Sequence, residues 1–171
     1  MTKQDLPFLP EFFDHYINQT EDLDLDTLLH KYDAAWLRTF AEKLENLGDK
    51  VYAKGKWTAR DILQHIVDTE RIMAYRALRI SRNDKTPLPG FEENDFAQNT
   101  LAHTRTIADL IAEFDAVRQS SILLFKHMNL EMATRVGTGS GKPITPLAIG
   151  FVLVGHPIHH IKVLEERYFG L

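Results

Sequence analysis

Apolar residues recur every three or four positions along four long stretches of the chain. The stretches cover 24–47, 58–81, 106–129 and 145–169. A period of 3.6 residues is that of an α-helix with one buried face. Four amphipathic helices of similar length predict an all-α fold, a four-helix bundle.

The starts of three of these helices are marked by residues that favour helix N-termini. Thr58 is followed three residues later by Asp61, the capping-box pattern in which each side chain satisfies a backbone N–H of the other residue. Thr106 precedes the third helix. Thr145 precedes Pro146, which is tolerated at the first helical position because its missing N–H would have no partner there.

Three segments lie outside the predicted helices. Two prolines interrupt residues 1–23, so we expect an N-terminal arm that packs on the core. Residues 83–95 combine prolines, a glycine and acidic side chains, which is typical of a surface loop. Residues 132–145 are rich in Gly, Ser and Thr and predict a small Gly-rich hairpin or loop before the last helix, in which 133–136 could pair with 143–145.

This connector includes the segment GTGSGKP, which is similar to a phosphate-binding loop. That motif needs four residues between its first glycine and its Gly-Lys pair, whereas Gly137 and Gly141 enclose three. Pro143 also stands where the motif needs the Ser or Thr that holds magnesium. We therefore expect a flexible turn and no nucleotide site.

Composition and charge exclude several functional classes. The length fits one domain, residues 1–171. The 20 Lys and Arg residues against 24 Asp and Glu give a formal charge of -4, so no basic excess is available for a nucleic-acid partner. The chain has no cysteine, so any metal must be bound by His, Asp or Glu.

The chain shows no secretory or membrane-spanning pattern. Its first residues, MTKQDLPFLPEFF, contain prolines and acidic side chains where a secretory signal needs an apolar core of about 7 to 15 residues. The longest nearly apolar run, 146–155, is shorter than the roughly 20 residues that cross a bilayer. We expect a cytoplasmic protein without a membrane partner.

Three histidines lie in the last predicted helix, in the segment VGHPIHHIKVL. Residues four apart on a helix differ by about 40°, so His156 and His160 share the apolar face, whereas His159 falls at its margin. Two imidazoles at this spacing can bind one metal ion. Pro157 removes the N–H that would bond to the carbonyl of Leu153, which predicts a local kink.

His65 is the third inward-facing candidate. It lies on the apolar face of the second helix, so pairing of the second and fourth helices would bring it to His156 and His160 and form a triad with an open coordination position. A lone buried histidine is more often a hydrogen-bonded core residue than a ligand, and this alternative remains for His65 alone. Two buried imidazoles without a polar partner are costly, which favours a metal for the pair.

Four segments make the sequence similar to the DinB-like family of metal-binding four-helix bundles, which includes the YfiT-type proteins. They are GKWTARDILQHIVDTERIMAYRALRISRND at 55–84, LPGFEENDFA at 88–97, RVGTGSGKPIT at 135–145 and GHPIHHIKVLEERY at 155–168. The resemblance covers nearly the whole chain. It implies that His65, His156 and His160 bind a divalent metal.

The resemblance also implies a class of activity. Characterised relatives are transferases and isomerases that act with a low-molecular-weight thiol such as bacillithiol, mycothiol or glutathione, and other members are described as metal-dependent hydrolases. Dimers are common among them. We therefore expect a homodimer that binds zinc or nickel and acts on a small-molecule substrate. The expected reaction is transfer that involves a low-molecular-weight thiol, or hydrolysis. The alternative is a non-catalytic metal- or ligand-binding dimeric bundle with a stress-related role.

No catalytic side chain is assigned from the sequence. Thr69 lies one turn past His65, and Arg76 and Arg167 share the inward-facing sides of their helices, so these three residues are candidates for supporting the site. Both arginines could instead end in surface ion pairs, because charged side-chain ends usually reach solvent.

Overall fold

Three long helices and a series of shorter ones make up the structure, a computed structural model that describes residues 1–171. In chain order the α-helices are α1 (Asp14–Ile17), α2 (Leu25–Lys31), α3 (Ala34–Arg38), α4 (Ala41–Leu47), α5 (Ala59–Ser81), α6 (Glu93–Gln98), α7 (Ile107–Lys126), α8 (Leu130–Thr134) and α9 (Pro146–Arg167). Two 3₁₀ helices cover Lys3–Asp5 and Ala102–Thr104. The strands are β1 (Gly137–Gly139) and β2 (Lys142–Ile144).

Side-chain caps start the three long helices at the predicted residues. At α5, Thr58 Oγ1 accepts a hydrogen bond from the backbone N–H of Asp61, and the Asp61 carboxylate accepts one from the N–H of Thr58 at 2.9 Å. At α7, Thr106 Oγ1 accepts a hydrogen bond from the N–H of Asp109 at 3.1 Å, without the reciprocal bond. Thr145 Oγ1 accepts a hydrogen bond from the N–H of Ala148 at 3.1 Å and starts α9.

The first predicted helix is instead divided into α2, α3 and α4, so the prediction of one continuous helix over 24–47 is wrong. Asp33 starts a new helix because its Oδ1 accepts hydrogen bonds from the backbone N–H groups of Ala35 and Trp36, at 2.7 and 3.3 Å. The Thr39 hydroxyl donates to a carbonyl of the preceding turn at 2.7 Å, a local bond that competes with helical pairing. The apolar period still survives, since Leu28 and Leu44 are both buried.

Asn129 starts a further helix rather than ending the third one. The helix α7 ends at Lys126, and Asn129 Oδ1 accepts a hydrogen bond from the N–H of Met132 at 2.9 Å as the cap of α8. Asparagine favours both helix ends and helix starts. The sequence signal at this residue therefore marks the next helix.

The small hairpin before α9 is present, with a pairing shifted from the predicted one. Because α8 extends to Thr134, the predicted strand at 133–136 does not form, and β1 pairs antiparallel with β2. Leu88 joins the hairpin through two hydrogen bonds. The Leu88 N–H donates to the Thr138 carbonyl at 2.9 Å, and the Leu88 carbonyl accepts from the Ser140 N–H at 3.0 Å. These bonds attach the predicted surface loop, which also contains the start of α6, to the hairpin.

The four members of the bundle are α5, α7, α9 and the segmented member α2–α4. The helix α5 packs along both α7 and α9, while the segmented member packs on α7 and, through α2, on α9. The helix α1, from the N-terminal arm, lies across α9. Each member thus has two neighbours, as in a four-helix bundle, and the predicted fold class is confirmed.

The core is divided into two apolar clusters with a polar layer between them. One cluster contains the buried apolar residues of α5 from Met73 onward and those of α9 up to Val154. The other cluster contains the buried apolar residues of α5 up to Val67 and those of α9 from Ile161 onward. The buried polar side chains between them come from all three long helices: Thr69, Glu70, Arg118, Ser121 and His156. Buried polar groups need partners, so this layer is where a functional site is expected.

The first half of α9 is buried on every side. All of its residues from Pro146 to Pro157 are buried within the single chain. By length and composition α9 could cross a membrane, but 72% of the relevant window is buried inside the bundle, as in the core helix of a globular fold. The apolar start of α9 therefore needs no partner subunit to cover it.

Candidate metal centre

Three histidines from two helices converge in the polar layer. The Nε2 atom of His156 lies 3.0 Å from Nε2 of His65 and 3.0 Å from Nε2 of His160. One ring nitrogen from each residue lies within 4.8 Å of the others, and no further His, Asp or Glu belongs to the group. His65 and His156 are buried and His160 is half-buried. The structure thus brings together the three residues predicted from the sequence.

His159 lies outside this group, as its position at the margin of the apolar face predicts. Its Nδ1 is 3.4 Å from Nε2 of Gln19, and its ring packs against His15 and Tyr16 at centroid distances of 5.9 and 5.4 Å. Because it is adjacent to His160 in the chain but outside the cluster, it is a matched control for substitutions of the three clustered histidines.

Burial keeps the three imidazoles uncharged at neutral pH. It lowers the pKa of His65 to about 4. Burial first, and then the charges of the neighbouring histidines, place the pKa values of His156 and His160 well below the ordinary 6.5. A neutral imidazole offers the lone pair that binds a metal, so protons compete weakly for these nitrogens at neutral pH.

Hydrogen bonds among the rings alone do not account for this geometry. An uncharged ring nitrogen carries either one proton or one lone pair, so His156 Nε2 can make one good hydrogen bond in its plane, yet two Nε2 atoms lie 3.0 Å from it. Nitrogens bound to one tetrahedral ion at about 2.0–2.1 Å lie roughly 3.3 Å apart. Two of the three nitrogen separations are therefore close to those around such an ion, and the cluster is consistent with a divalent metal held by three ligands.

Neighbouring side chains orient the rings. Thr69 Oγ1 is 3.4 Å from Nδ1 of His65, and when this oxygen accepts a hydrogen bond from Nδ1–H, the Nε2 atom of His65 is free to bind a metal. Trp57 packs on the His65 ring at a centroid distance of 4.8 Å. Tyr16, from the arm, meets the His156 ring edge-on at 5.2 Å and 80°. Elements distant in sequence therefore fix the direction of at least two of the three rings.

A buried ion pair explains how α9 accommodates a proline between the paired histidines. The helix runs uninterrupted through Pro157, which has no N–H for the carbonyl of Leu153. Arg118 on α7 donates from Nη2 to that carbonyl at 2.7 Å and to Glu70 Oε2 on α5 at 2.8 Å. Arg118 and Glu70 are 0% and 2% exposed. The three long helices are thus joined through one guanidinium.

A cavity of about 750 Å³ lies beside the cluster. Its walls come from α5 and α9, from Phe12, Phe13 and Tyr16 of the arm, from the loop before α6 and from the hairpin. Both Thr69 and His156 line it. Ligand sites are usually clefts of roughly 300–1,000 Å³, so a small molecule held in this cavity would contact the histidine cluster.

The candidate supporting residues divide into two groups. Thr69 and Arg76 line the cavity, and Arg76 is buried. Arg167 is exposed near the end of α9, with its guanidinium 5.3 Å from the ring centroid of Tyr52. The expectation that Arg167 supports the site is therefore wrong, because the position falls beyond the polar layer.

Tyr16 and Arg118 belong to the site region and were not predicted. Arg118 occupies an inward position in the apolar period of α7, between Phe114 and Ser121, and a charged residue in such a position is a signal for a buried network. Tyr16 carries no comparable signal, because the arm has no long period. Burial, with a smaller effect from the charge of Glu93, raises the pKa of Tyr16 to about 12.

Comparison with known proteins agrees with the geometry. The family model of the DinB superfamily matches residues 16–164, which include all three clustered histidines. Among solved structures, the chain is similar to YfiT from Bacillus subtilis, which is described as a probable metal-dependent hydrolase with an unusual four-helix bundle topology. The two structures align with a TM-score of 0.69 at 20% sequence identity, and the alignment covers 91% of this chain and 85% of the YfiT chain. No curated protein matches. The chain belongs to the DinB superfamily.

Proposed function

We propose that this protein is a metal-dependent hydrolase in which His65, His156 and His160 hold one divalent ion, zinc or nickel, beside a cavity for a small-molecule substrate. The observation that carries the proposal is that His156 belongs both to the histidine cluster and to the cavity wall. A purely structural site is normally closed by four protein ligands, whereas this cluster has three.

The chemistry of such a site is nucleophile activation. His65, His156 and His160 would hold the ion, which would supply a nucleophile by lowering the pKa of a bound water or thiol. The protein supplies orientation and hydrogen bonds. Tyr16 keeps its proton at neutral pH, as tyrosine ordinarily does, and burial raises its pKa further, to about 12. It can therefore donate a hydrogen bond to a substrate oxygen. The aromatic side chains of the arm form part of the cavity wall beside the cluster.

Transfer to a low-molecular-weight thiol is the second candidate reaction. The cavity volume of about 750 Å³ is large enough for a thiol and a second small reactant together. The chain has no cysteine of its own, so the thiol would be a co-substrate. The homodimer, the cytoplasmic location and the absence of nucleic-acid and membrane partners remain predictions from the sequence.

Elemental analysis of the purified protein tests the metal site. We expect about one divalent ion per chain, and loss of the ion in His65→Ala and in His156→Ala because each change removes one of three ligands. His159→Ala should retain the ion, since this ring lies outside the cluster. Full metal content in His65→Ala or His156→Ala would refute the triad.

Turnover assays then separate an enzyme from a binding protein. Metal-loaded protein is mixed with a panel of nitrophenyl esters and amides, and separately with glutathione or another small thiol and an electrophile. We expect conversion that is lost in His156→Ala and kept in His159→Ala. A metal-loaded protein that converts nothing in either panel would favour the non-catalytic bundle.

A further inference from the structure

Arg76 is a buried arginine without a carboxylate partner. Two arginines are buried, Arg76 at 3% and Arg118 at 0% exposure, and Arg118 is paired with Glu70. Arg76 instead donates from Nη2 to the carbonyl of Pro89 at 2.7 Å, and its Nη1 lies 3.2 Å from the sulfur of Met73. A guanidinium keeps its charge and has five N–H donors. Its burial without a counter-ion is costly, which points to an anion that binds there.

The position of Arg76 places such an anion within reach of the histidine cluster. Arg76 and His156 line the same cavity. On α5, Arg76 lies eleven residues beyond His65 and seven beyond Thr69, which corresponds to about 16 and 10 Å along the helix axis. Ser140 of the hairpin also lines the cavity and offers a hydroxyl donor. One end of a ligand can therefore bind Arg76 while the other end lies at the cluster.

The cavity wall between these two ends is largely apolar. Phe12, Phe13, Met73 and Val152 line it. Phe12 has a positive φ of 77° and is 67% exposed. This backbone conformation is uncommon for a non-glycine residue. An exposed aromatic ring beside an apolar wall favours a ligand with a hydrocarbon or aromatic body.

The other charged residues of the cavity limit the charge of the ligand. Lys142 is paired with Glu11 at 2.8 Å. Glu92 and Glu93 line the cavity at the start of α6, and both are exposed to solvent. The screened charges of Glu92 and Glu93 repel a ligand with many negative groups, whereas Arg76 attracts a single negative group. This arrangement fits a single anionic group at the Arg76 end.

We propose that the substrate is an apolar or aromatic small molecule with one carboxylate, sulfonate or similar anionic group, which binds Arg76 while the reacting bond lies at the histidine cluster. The placement of the reacting bond at the histidine cluster depends on the proposed function, whereas the binding of the anionic group by Arg76 does not. Arginine suits this role because its planar pairs of N–H groups match two oxygens of such a group.

Two fluorescent probes that differ in one charge test the proposal. The first is 8-anilinonaphthalene-1-sulfonate, and the second, N-phenyl-1-naphthylamine, has the same ring system without the sulfonate. We expect the protein to bind the sulfonate probe at least tenfold more tightly. In Arg76→Met this preference should disappear while the affinity for the neutral probe stays within about twofold, since one charge-assisted contact is worth about tenfold or more.

Control variants exclude a general loss of structure. Arg76→Lys keeps the charge and should keep part of the preference, and Lys142→Met should reduce it far less than Arg76→Met, because the Lys142 amine is exposed and paired with Glu11. Near-UV circular dichroism verifies that each variant is folded. If folded Arg76→Met keeps the preference, or if it loses both probes equally, Arg76 has a structural role and the proposal is overturned.

The same measurements separate this proposal from the proposed function. His65→Ala should lose the metal and keep the preference for the sulfonate probe, because the cavity is lined by His156 and Arg76 but not by His65. Native protein that shows the preference but binds no metal would refute the metal centre and leave the anion site intact. Native protein that binds metal but shows no preference would refute the anion site alone.

Discussion

The ion pair between Arg118 and Glu70 gives a prediction whose magnitude follows from the structure. Both side chains are almost fully buried, and Arg118 Nε, Arg118 Nη1 and Glu70 Oε1 have no hydrogen-bond partner in the protein. A buried pair that is only partly hydrogen-bonded adds little net stability, but removal of one partner leaves the other charge uncompensated. Arg118→Met and Glu70→Met should therefore each lower the free energy of unfolding by about 3–5 kcal/mol.

The double variant should be far less damaged than the sum of the single changes. With both charges removed, the main loss is the donor to the carbonyl of Leu153, which costs about 1–3 kcal/mol. Independent effects would instead sum to about 6–10 kcal/mol. The predicted coupling energy is thus on the order of 5 kcal/mol.

Pro157→Ala tests the origin of the remaining loss. It restores a backbone N–H four residues after Leu153, so it should stabilise the double variant more than it stabilises the native sequence, in which Arg118 already donates to that carbonyl at 2.7 Å. The assay is urea unfolding followed by far-UV circular dichroism, with all proteins freed of metal by a chelator. Additive losses in the double variant, or an equal gain from Pro157→Ala in both backgrounds, would refute the reasoning.

Two further predictions concern the histidine cluster and the arm. The free energy of unfolding of the metal-free protein should fall as the pH decreases from about 6.5 to 4, because unfolded His65 takes up a proton near 6.5 whereas the folded protein resists it down to a pKa of about 4. Unfolding curves of His65→Gln should show a smaller fall over this range, and an equal fall would contradict the assignment. Gly155→Ala should destabilise the fold by about 3 kcal/mol or more, because its Cβ would lie 2.0 Å from the carbonyl oxygen of Tyr16. Gly170→Ala, in open space, is the control, and similar unfolding midpoints for the two variants would show that the arm can move away.

Local rules made the long helices and the clustered histidines predictable from the sequence. The caps at Thr58 and Thr145 depend on residues three positions apart, so they can be recognised without the fold. The angular position of His156 and His160 on one helix face follows from helix geometry alone. The pairing of α5 with α9, which brings His65 to them, followed from the family resemblance and from the matching apolar faces.

Contacts between distant segments were not predictable in the same way. The breaks within 24–47 depend on Asp33, a residue that is compatible with either a helix interior or a helix cap until its side chain has a partner. The bond from Arg118 to the Leu153 carbonyl joins residues 35 positions apart and depends on how α7 packs against α9. The cavity wall at Phe12 and Tyr16 has no helical period that would assign it to a surface.

The long separation between the clustered histidines also affects the order in which the molecule assembles. His65 and His156 are 91 positions apart, and closing a loop of this length costs conformational entropy, which slows the formation of such contacts. A chain with α5 formed but α9 not yet docked therefore has one histidine of the three in place and cannot hold an ion there. An ion with affinity only for the assembled bundle shifts the equilibrium toward it by mass action. In a mixture of folding forms, bound metal would accordingly mark those in which α9 has docked against α5.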